Sequence, residues 1–268
     1  MVTRTVRIPY KYGGVVKIKP LFDVHAGNIA SDIAGFKKYL AKDDDEYTYF
    51  LGGGDLTDSI ITTDIKRYQK SIDATTGDEI IDEQIGEMRR ILEPYKSRII
   101  GLGTGNHEDS ISRKCGTHPT KRLCAELGVP YHGYSCLLGL TLFAENNPKK
   151  CVRLVIRIHH GWGGGSRTRG GSITSFERDM GKWDADIYMF GHVHKKQADR
   201  MPRLGLQAGK LVSKPQLLVL CGTYLKTFTD TQESTYSERA GYPPTEIGSP
   251  IIVIEPGKTS GYELRADI

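Results

Sequence analysis

Five short segments concentrate side chains that can hold metal ions: Asp23-Val24-His25, Gly52-Gly53-Gly54-Asp55-Leu56-Thr57-Asp58, Gly105-Asn106-His107-Glu108, Ile158-His159-His160-Gly161 and Gly191-His192-Val193-His194. Six of the eight histidines lie in them. The donors are carboxylates, imidazoles and one amide oxygen, without a thiolate. That mixture suits a reactive Mn²⁺, Fe or Zn²⁺ site better than a structural zinc, which usually takes cysteine. In Asp23-x-His25 and His192-x-His194, side chains at i and i+2 of an extended backbone point the same way, so each pair can grip one ion or two neighbouring ions. Two ions side by side can share a water and lower its pKa.

Each segment follows an apolar run of strand length: Val15 to Phe22, Tyr47 to Leu51, Ile99 to Leu102, Leu154 to Ile158 and Ile187 to Phe190. Helical patterns lie between several of them. From Asp78 to Glu93, Ile81, Ile85, Met88 and Leu92 share one face and Pro94 stops the helix. From Ser172 to Trp183, Ile173, Phe176, Met180 and Trp183 form a second apolar stripe. Strands at Gln216 to Leu220, Ile251 to Ile254 and Tyr262 to Leu264 close the chain, so an α/β domain spanning 1–268 is expected. Ligands of such domains gather outside the carboxyl ends of the strands, where loops from separate strands meet. Pro20 sits awkwardly inside the first expected strand, because proline removes a ladder donor. The run Asp43-Asp44-Asp45-Glu46 reads as a solvated turn.

With 37 Lys+Arg against 32 Asp+Glu, the net charge is +5 over 268 residues, mild but suited to an anionic substrate. No apolar run approaches the ~18 residues of a membrane helix, and Met1-Val2-Thr3-Arg4 lacks a secretory pattern. A soluble, cytoplasmic protein with no membrane partner is expected. Five cysteines, an odd number with no CxxC pair, make no disulfide framework.

The ordered blocks D-x-H, G-D-x-x-D, G-N-H-E, H before G, and G-H-x-H resemble the signature of the calcineurin-like metallophosphoesterase superfamily. They span Asp23 to His194, most of the chain. The resemblance implies a four-layer α/β/β/α sandwich with a dinuclear metal site at the carboxyl ends of the strands. It implies that Asp23, His25 and His194 bind one ion, that Asn106, His160 and His192 bind the second, and that Asp55 bridges them. His159 competes with His160, which is preferred because the family's ligand directly precedes Gly. His107 matches the position of a catalytic histidine and Asp58 that of the carboxylate orienting it. Mn²⁺ is the expected metal, with Fe, Zn²⁺ or Ni²⁺ as alternatives. With two such ions roughly 3.5 to 4 Å apart, the expected nucleophile is a hydroxide bridging them while they clamp the phosphoryl oxygens.

Departures narrow the activity. Ser59-Ile60 follows Asp58 without the arginine of protein Ser/Thr phosphatases, and Asp58 stands where purple acid phosphatases place a tyrosine ligand. Only about seventy residues follow His194, too few for the capping domain of the repair nucleases. A phosphodiesterase acting on nucleotides or nucleic acid is expected, with a phosphomonoesterase and a non-catalytic scaffold as alternatives. The glycine-rich run 163–171 leaves the His160 block carrying Arg167 and Arg169, which could clamp a substrate phosphate.

Overall fold

The computed structural model describes residues 1–268 apart from 63, 65, 66, 69, 71, 72, 76–78, 165, 167, 208, 231–233 and 258–260; of Arg169, Gln207 and Tyr236 it describes the backbone. The chain opens with β1 (Val2–Tyr10) and β2 (Val16–Phe22). β1 is absent from the expected elements, although Val6, Ile8 and Tyr10 alternate with Thr5, Arg7 and Pro9 at strand spacing. There follow α1 (Ile33–Ala41), β3 (Thr48–Gly54), α2 (Ile80–Leu92), β4 (Ile99–Gly103), α3 (Asn106–Cys115), α4 (Pro119–Leu127) and β5 (Tyr131–Gly133). The second half comprises β6 (Ser135–Ala144), β7 (Asn147–His159), α5 (Arg169–Met180), β8 (Ile187–Phe190), β9 (Lys196–Gln207), β10 (Lys210–Cys221), the short α6 (Tyr236–Arg239), β11 (Ile251–Pro256) and β12 (Tyr262–Asp267).

Two six-stranded sheets form, ordered β1-β6-β7-β8-β10-β9 and β12-β11-β2-β3-β4-β5. Their inner faces share one apolar core: Ile8, Leu138, Ile156, Met189 and Val219 from the first sheet meet Val16, Ile18, Leu51 and Ile254 from the second. Helices cover both outer faces. Phe36, Ile85, Met88 and Leu123 pack on Leu21, Phe50 and Leu102, while Phe176 and Met180 of α5 pack on Tyr188, Phe190, Leu218 and Leu220. The order of layers is therefore α/β/β/α, as the resemblance implies. Each fully buried large aliphatic or aromatic side chain contributes about 1.5–3 kcal/mol.

β2 runs parallel to β3, β3 to β4, and β7 to β8. The carboxyl ends of β2, β3 and β4, and those of β7 and β8, thus each lie on one side of their sheet. Pro20 is tolerated in the middle of a sheet because pairing to β11 ends at Ile18. From there β2 has a partner only in β3, where Pro20 lies opposite Leu51. Lys19 faces the helical layer, fully buried, and donates to the carbonyls of Tyr39, Leu40 and Lys42 at the end of α1. α5 begins three residues earlier than its expected start at Ser172 and stops at Met180, with Gly181 as its C-cap; Trp183 lies beyond it and packs under Arg157. Asp44 and Asp45 pair with Arg98 and Lys17 around the turn that leads into β3. No helix among the described residues is long and apolar enough to cross a membrane.

Candidate metal centre

β2, β3 and β8 each end in residues that bend the chain sharply. Among the described residues, seven non-glycine positions have positive φ, and five of them are expected ligands: Asp23 (49°), His25 (54°), Asp55 (51°), His192 (69°) and His194 (54°). Such left-handed backbone costs of order 1–3 kcal/mol per residue and gathers at functional sites. This changes the account of Asp-x-His and His-x-His. Their side chains converge through left-handed turns beyond the strand ends, not through the pleat of an extended strand. The intervening Val24 and Val193 are buried, which anchors each turn.

The convergence is tight. His25 Nε2 lies 3.3 Å from His194 Nε2, and Asp23 Oδ1 lies 3.4 Å from His194 Nε2 and 3.9 Å from His25 Nε2. On the other side of Asp55, His160 Nε2 lies 3.2 Å from Asp55 Oδ2 and 2.9 Å from Asn106 Oδ1, which is 2.7 Å from His192 Nδ1. Three groups of potential ligand atoms result: Asp23, His25 and His194; His25, Asp55 and His107; Asp55, His160 and His192. All seven expected ligands are thus brought together, and Asp55 belongs to two of the groups. His160 is the inward-facing member of its pair. His159 turns away, accepting from Gly161 N–H at 2.9 Å and packing edge-on against Trp162; burial, followed by Arg157, pushes its pKa down to about 4.

Charge and burial fit a cation. Asp23 and Asp55 are almost fully buried. Against the penalty of burial, His160 and His107 hold Asp55 well below the usual carboxylate range, and Asp55 in turn raises His160 to about 9 despite burial. Asp23 Oδ1 is a buried oxygen without a hydrogen bond of good geometry. Paired ionised carboxylates in the interior demand positive charge beside them, and a divalent ion held by these donors supplies it.

Asp58 serves two imidazoles. Its carboxylate accepts from His25 Nδ1 at 3.2 Å and lies 3.7 Å from His107 Nδ1, whereas its backbone carbonyl accepts from His107 Nδ1 at 2.6 Å. The expected pairing of His107 with the Asp58 carboxylate is thereby changed: the carbonyl holds the ring, and the carboxylate orients the ligand His25. Burial lowers the pKa of His107 in spite of Asp55 and Asp58; a carbonyl only accepts, so Nδ1 carries a proton, and Nε2 faces Arg67 Nη1 at 3.2 Å.

Two residues given no role in the sequence reading hold the site together. Glu108 is buried and accepts from the backbone N–H groups of Gly105, Asp55, Leu56 and Thr57 at 2.7–3.2 Å, clasping the loops after β3 and β4. Burial and then Asp55 push its pKa up to about 7, against those donors. The signal was a Glu at the third position of α3, where a carboxylate reaches back to the helix start. Arg67, between β3 and α2, carried no periodic or motif signal. Gly105 is required by this clasp, since a Cβ there would stand 2.0 Å from Asp55 Oδ1.

A cavity of about 330 Å³ opens over these groups. Its lining includes His25, Asp55, Asn106, His107, His192 and His194, together with Arg67, Gly163, Gly164, Ser166, Lys195, Lys226, Tyr242 and Thr245. Arg167 lies outside the described residues, as does the side chain of Arg169, whose backbone opens α5. His118 is exposed at the start of α4 and His132 is buried in β5, both outside the cavity lining.

The ordered blocks that resemble the calcineurin-like metallophosphoesterase signature meet at one site of an α/β/β/α fold. No family model matches the sequence, and no curated protein matches it. Similar solved structures include a predicted phosphoesterase from Streptococcus pneumoniae TIGR4, 8% identical, covering 94% of this chain and 98% of that one with a TM-score of 0.33. Wild-type Vps29 complexed with zinc from Entamoeba histolytica is 12% identical over 94% and 98% of the two chains, TM-score 0.33. Vacuolar protein sorting 29 from Cryptosporidium parvum is 15% identical over 96% and 98%, TM-score 0.35.

Proposed function

We propose that the protein is a metal-dependent phosphodiesterase that cleaves nucleotides or nucleic acid. The observation that carries this reading is the place of Asp55, whose carboxylate meets His160 and His192 in one group of ligand atoms and His25 and His107 in another. Asp23, His25 and His194 would hold one divalent cation, Asn106, His160 and His192 a second, and Asp55 would serve both. Mn²⁺ suits these oxygen and imidazole donors, with Fe, Zn²⁺ and Ni²⁺ as competitors. Bound there, the cations supply Lewis-acid polarisation of a phosphoryl oxygen and a more acidic water.

The chain's own groups do the rest. The Asp58 carbonyl pins the Nδ1 proton of His107, so the proton that His107 gains or loses during turnover is at Nε2, on the cavity side. Once Nε2 has taken up a proton, the ring can pass it to the leaving-group oxygen, a step worth typically 10² to 10⁴ in rate. Asn28 Nδ2 donates to the second oxygen of Asp58 at 3.3 Å and steadies that carboxylate against His25. Support for a diester comes from the non-ligand residues of the cavity lining: Lys195 and Lys226 bring positive charge, and Tyr242 and Thr245 bring groups that a second ester substituent could meet.

The deciding experiment compares rates on bis-p-nitrophenyl phosphate and p-nitrophenyl phosphate with Mn²⁺, and again after chelation. Metal-dependent turnover that favours the diester is expected. A clear preference for the monoester would replace the diesterase reading, and no turnover of either by metal-loaded protein would leave a binding scaffold.

A further inference from the structure

Arg67 is the cation whose chemistry remains unused. Its Nε and Nη2 both donate to Asp64 Oδ2, at 2.9 and 2.6 Å. A guanidinium is planar, so anchoring those two nitrogens fixes the third, Nη1, on the opposite side. Nη1 lies 3.2 Å from His107 Nε2 and Arg67 lines the cavity over the ligands. Lys114 Nζ stands 3.9 Å from the same Asp64 carboxylate, so two cations share one anion and the group keeps a net positive charge.

A neutral imidazole nitrogen is a modest acceptor for a charged donor, whereas a phosphate oxygen accepts from guanidinium with roughly twice the strength of a neutral pair. The neighbourhood of Nη1 is also where a phosphate ester must sit if its leaving oxygen is to reach His107 Nε2. Building on the phosphoesterase reading, we infer that Arg67 binds a non-bridging oxygen of the scissile phosphate through Nη1, with Asp64 as the positioning residue that aims it. The bound group is a phosphate ester, one of whose oxygens takes the Nη1 hydrogen bond in place of His107 Nε2.

The test uses the full-length protein loaded with Mn²⁺, in wild-type, Arg67→Ala, Arg67→Lys and Asp64→Asn forms. Metal content is measured first, then inorganic phosphate binding by calorimetry, then steady-state hydrolysis of bis-p-nitrophenyl phosphate. Metal content should be unchanged in all four. Arg67→Ala should weaken phosphate binding by about tenfold, a loss of one charged hydrogen bond, and lower kcat/KM by about 100-fold. Arg67→Lys should recover part of the binding and less of the rate, since a lysine restores charge without the fixed fork. Asp64→Asn should fall between wild type and Arg67→Ala. Unchanged phosphate affinity and rate in Arg67→Ala would overturn the assignment, and so would loss of metal or fold in both Arg67 variants, which would make the residue structural. Wild-type protein that neither binds phosphate nor turns over would instead sink the phosphoesterase reading itself.

Discussion

His132 allows a sharp test of how the strand behind the site is supported. Its ring lies against the Cα of Gly101 in β4, the strand that delivers Asn106 and His107, and a Cβ on Gly101 would come within 2.3 Å of it. The residue is 1% exposed, and neither ring nitrogen has a hydrogen-bond partner. Burial, helped by Arg4, lowers its pKa from 6.5 to about 4. As pH falls, the unfolded chain takes up the proton near pH 6.5 while the folded protein does not, so the unfolded state binds more protons across that interval. Stability from this group is therefore complete above pH 6.5 and is lost as pH drops toward 4. Between pH 7.5 and pH 5 the loss amounts to about 2 kcal/mol, a sizeable part of a typical 5–15 kcal/mol total. Replacement by Phe or Leu removes this dependence, and its packing cost cancels because it is the same at both pH values. Urea unfolding of wild type and His132→Phe at pH 7.5 and 5 should show the wild type losing about 2 kcal/mol more than the variant. Equal losses in the two proteins would refute a neutral, buried imidazole at this position.

Four further outcomes are expected. Asp55→Asn should lower bound metal and abolish turnover while the fold survives; two full equivalents of metal in an active variant would falsify the sharing of Asp55 between ions. Glu108→Ala leaves four buried backbone N–H groups without their acceptor, at about 1–3 kcal/mol each if no water replaces it, so both melting temperature and metal affinity should fall, and a change confined to activity would contradict the clasp. Lys19→Met should destabilise by several kcal/mol (roughly 1–3 for each orphaned carbonyl of α1) with catalysis intact in the folded fraction, as denaturation and specific activity would reveal. Replacing Arg167 and Arg169 together by Ala should raise KM for an oligonucleotide, flatten its salt dependence and leave metal content unchanged; identical KM and salt slope would reduce run 163–171 to a surface loop.

Read alone, the amino-acid order determined which atoms could meet. Metal ligation draws on few side-chain types, and Asp23, His25, Asp55, Asn106, His192 and His194 each follow an apolar run whose end had to be a loop. The choice between His159 and His160 is different, because either ring could point inward from a strand end. It was decided by Gly53 O, Asn106 and Asp55 on one side and by Trp162 on the other. The left-handed turns at the ligands were also invisible, since a local pattern reports periodicity and not the sign of φ. β1 was missed because alternation of Val, Ile and Tyr with Arg and Thr is weak until β6 pairs with it along its whole length. Arg67 and Asp58 mark the deeper limit. Whether a carboxylate or a carbonyl holds His107, and whether the fork that Asp64 aims meets that ring, depend on contacts between residues tens of positions apart in the chain, which exist only in the folded domain.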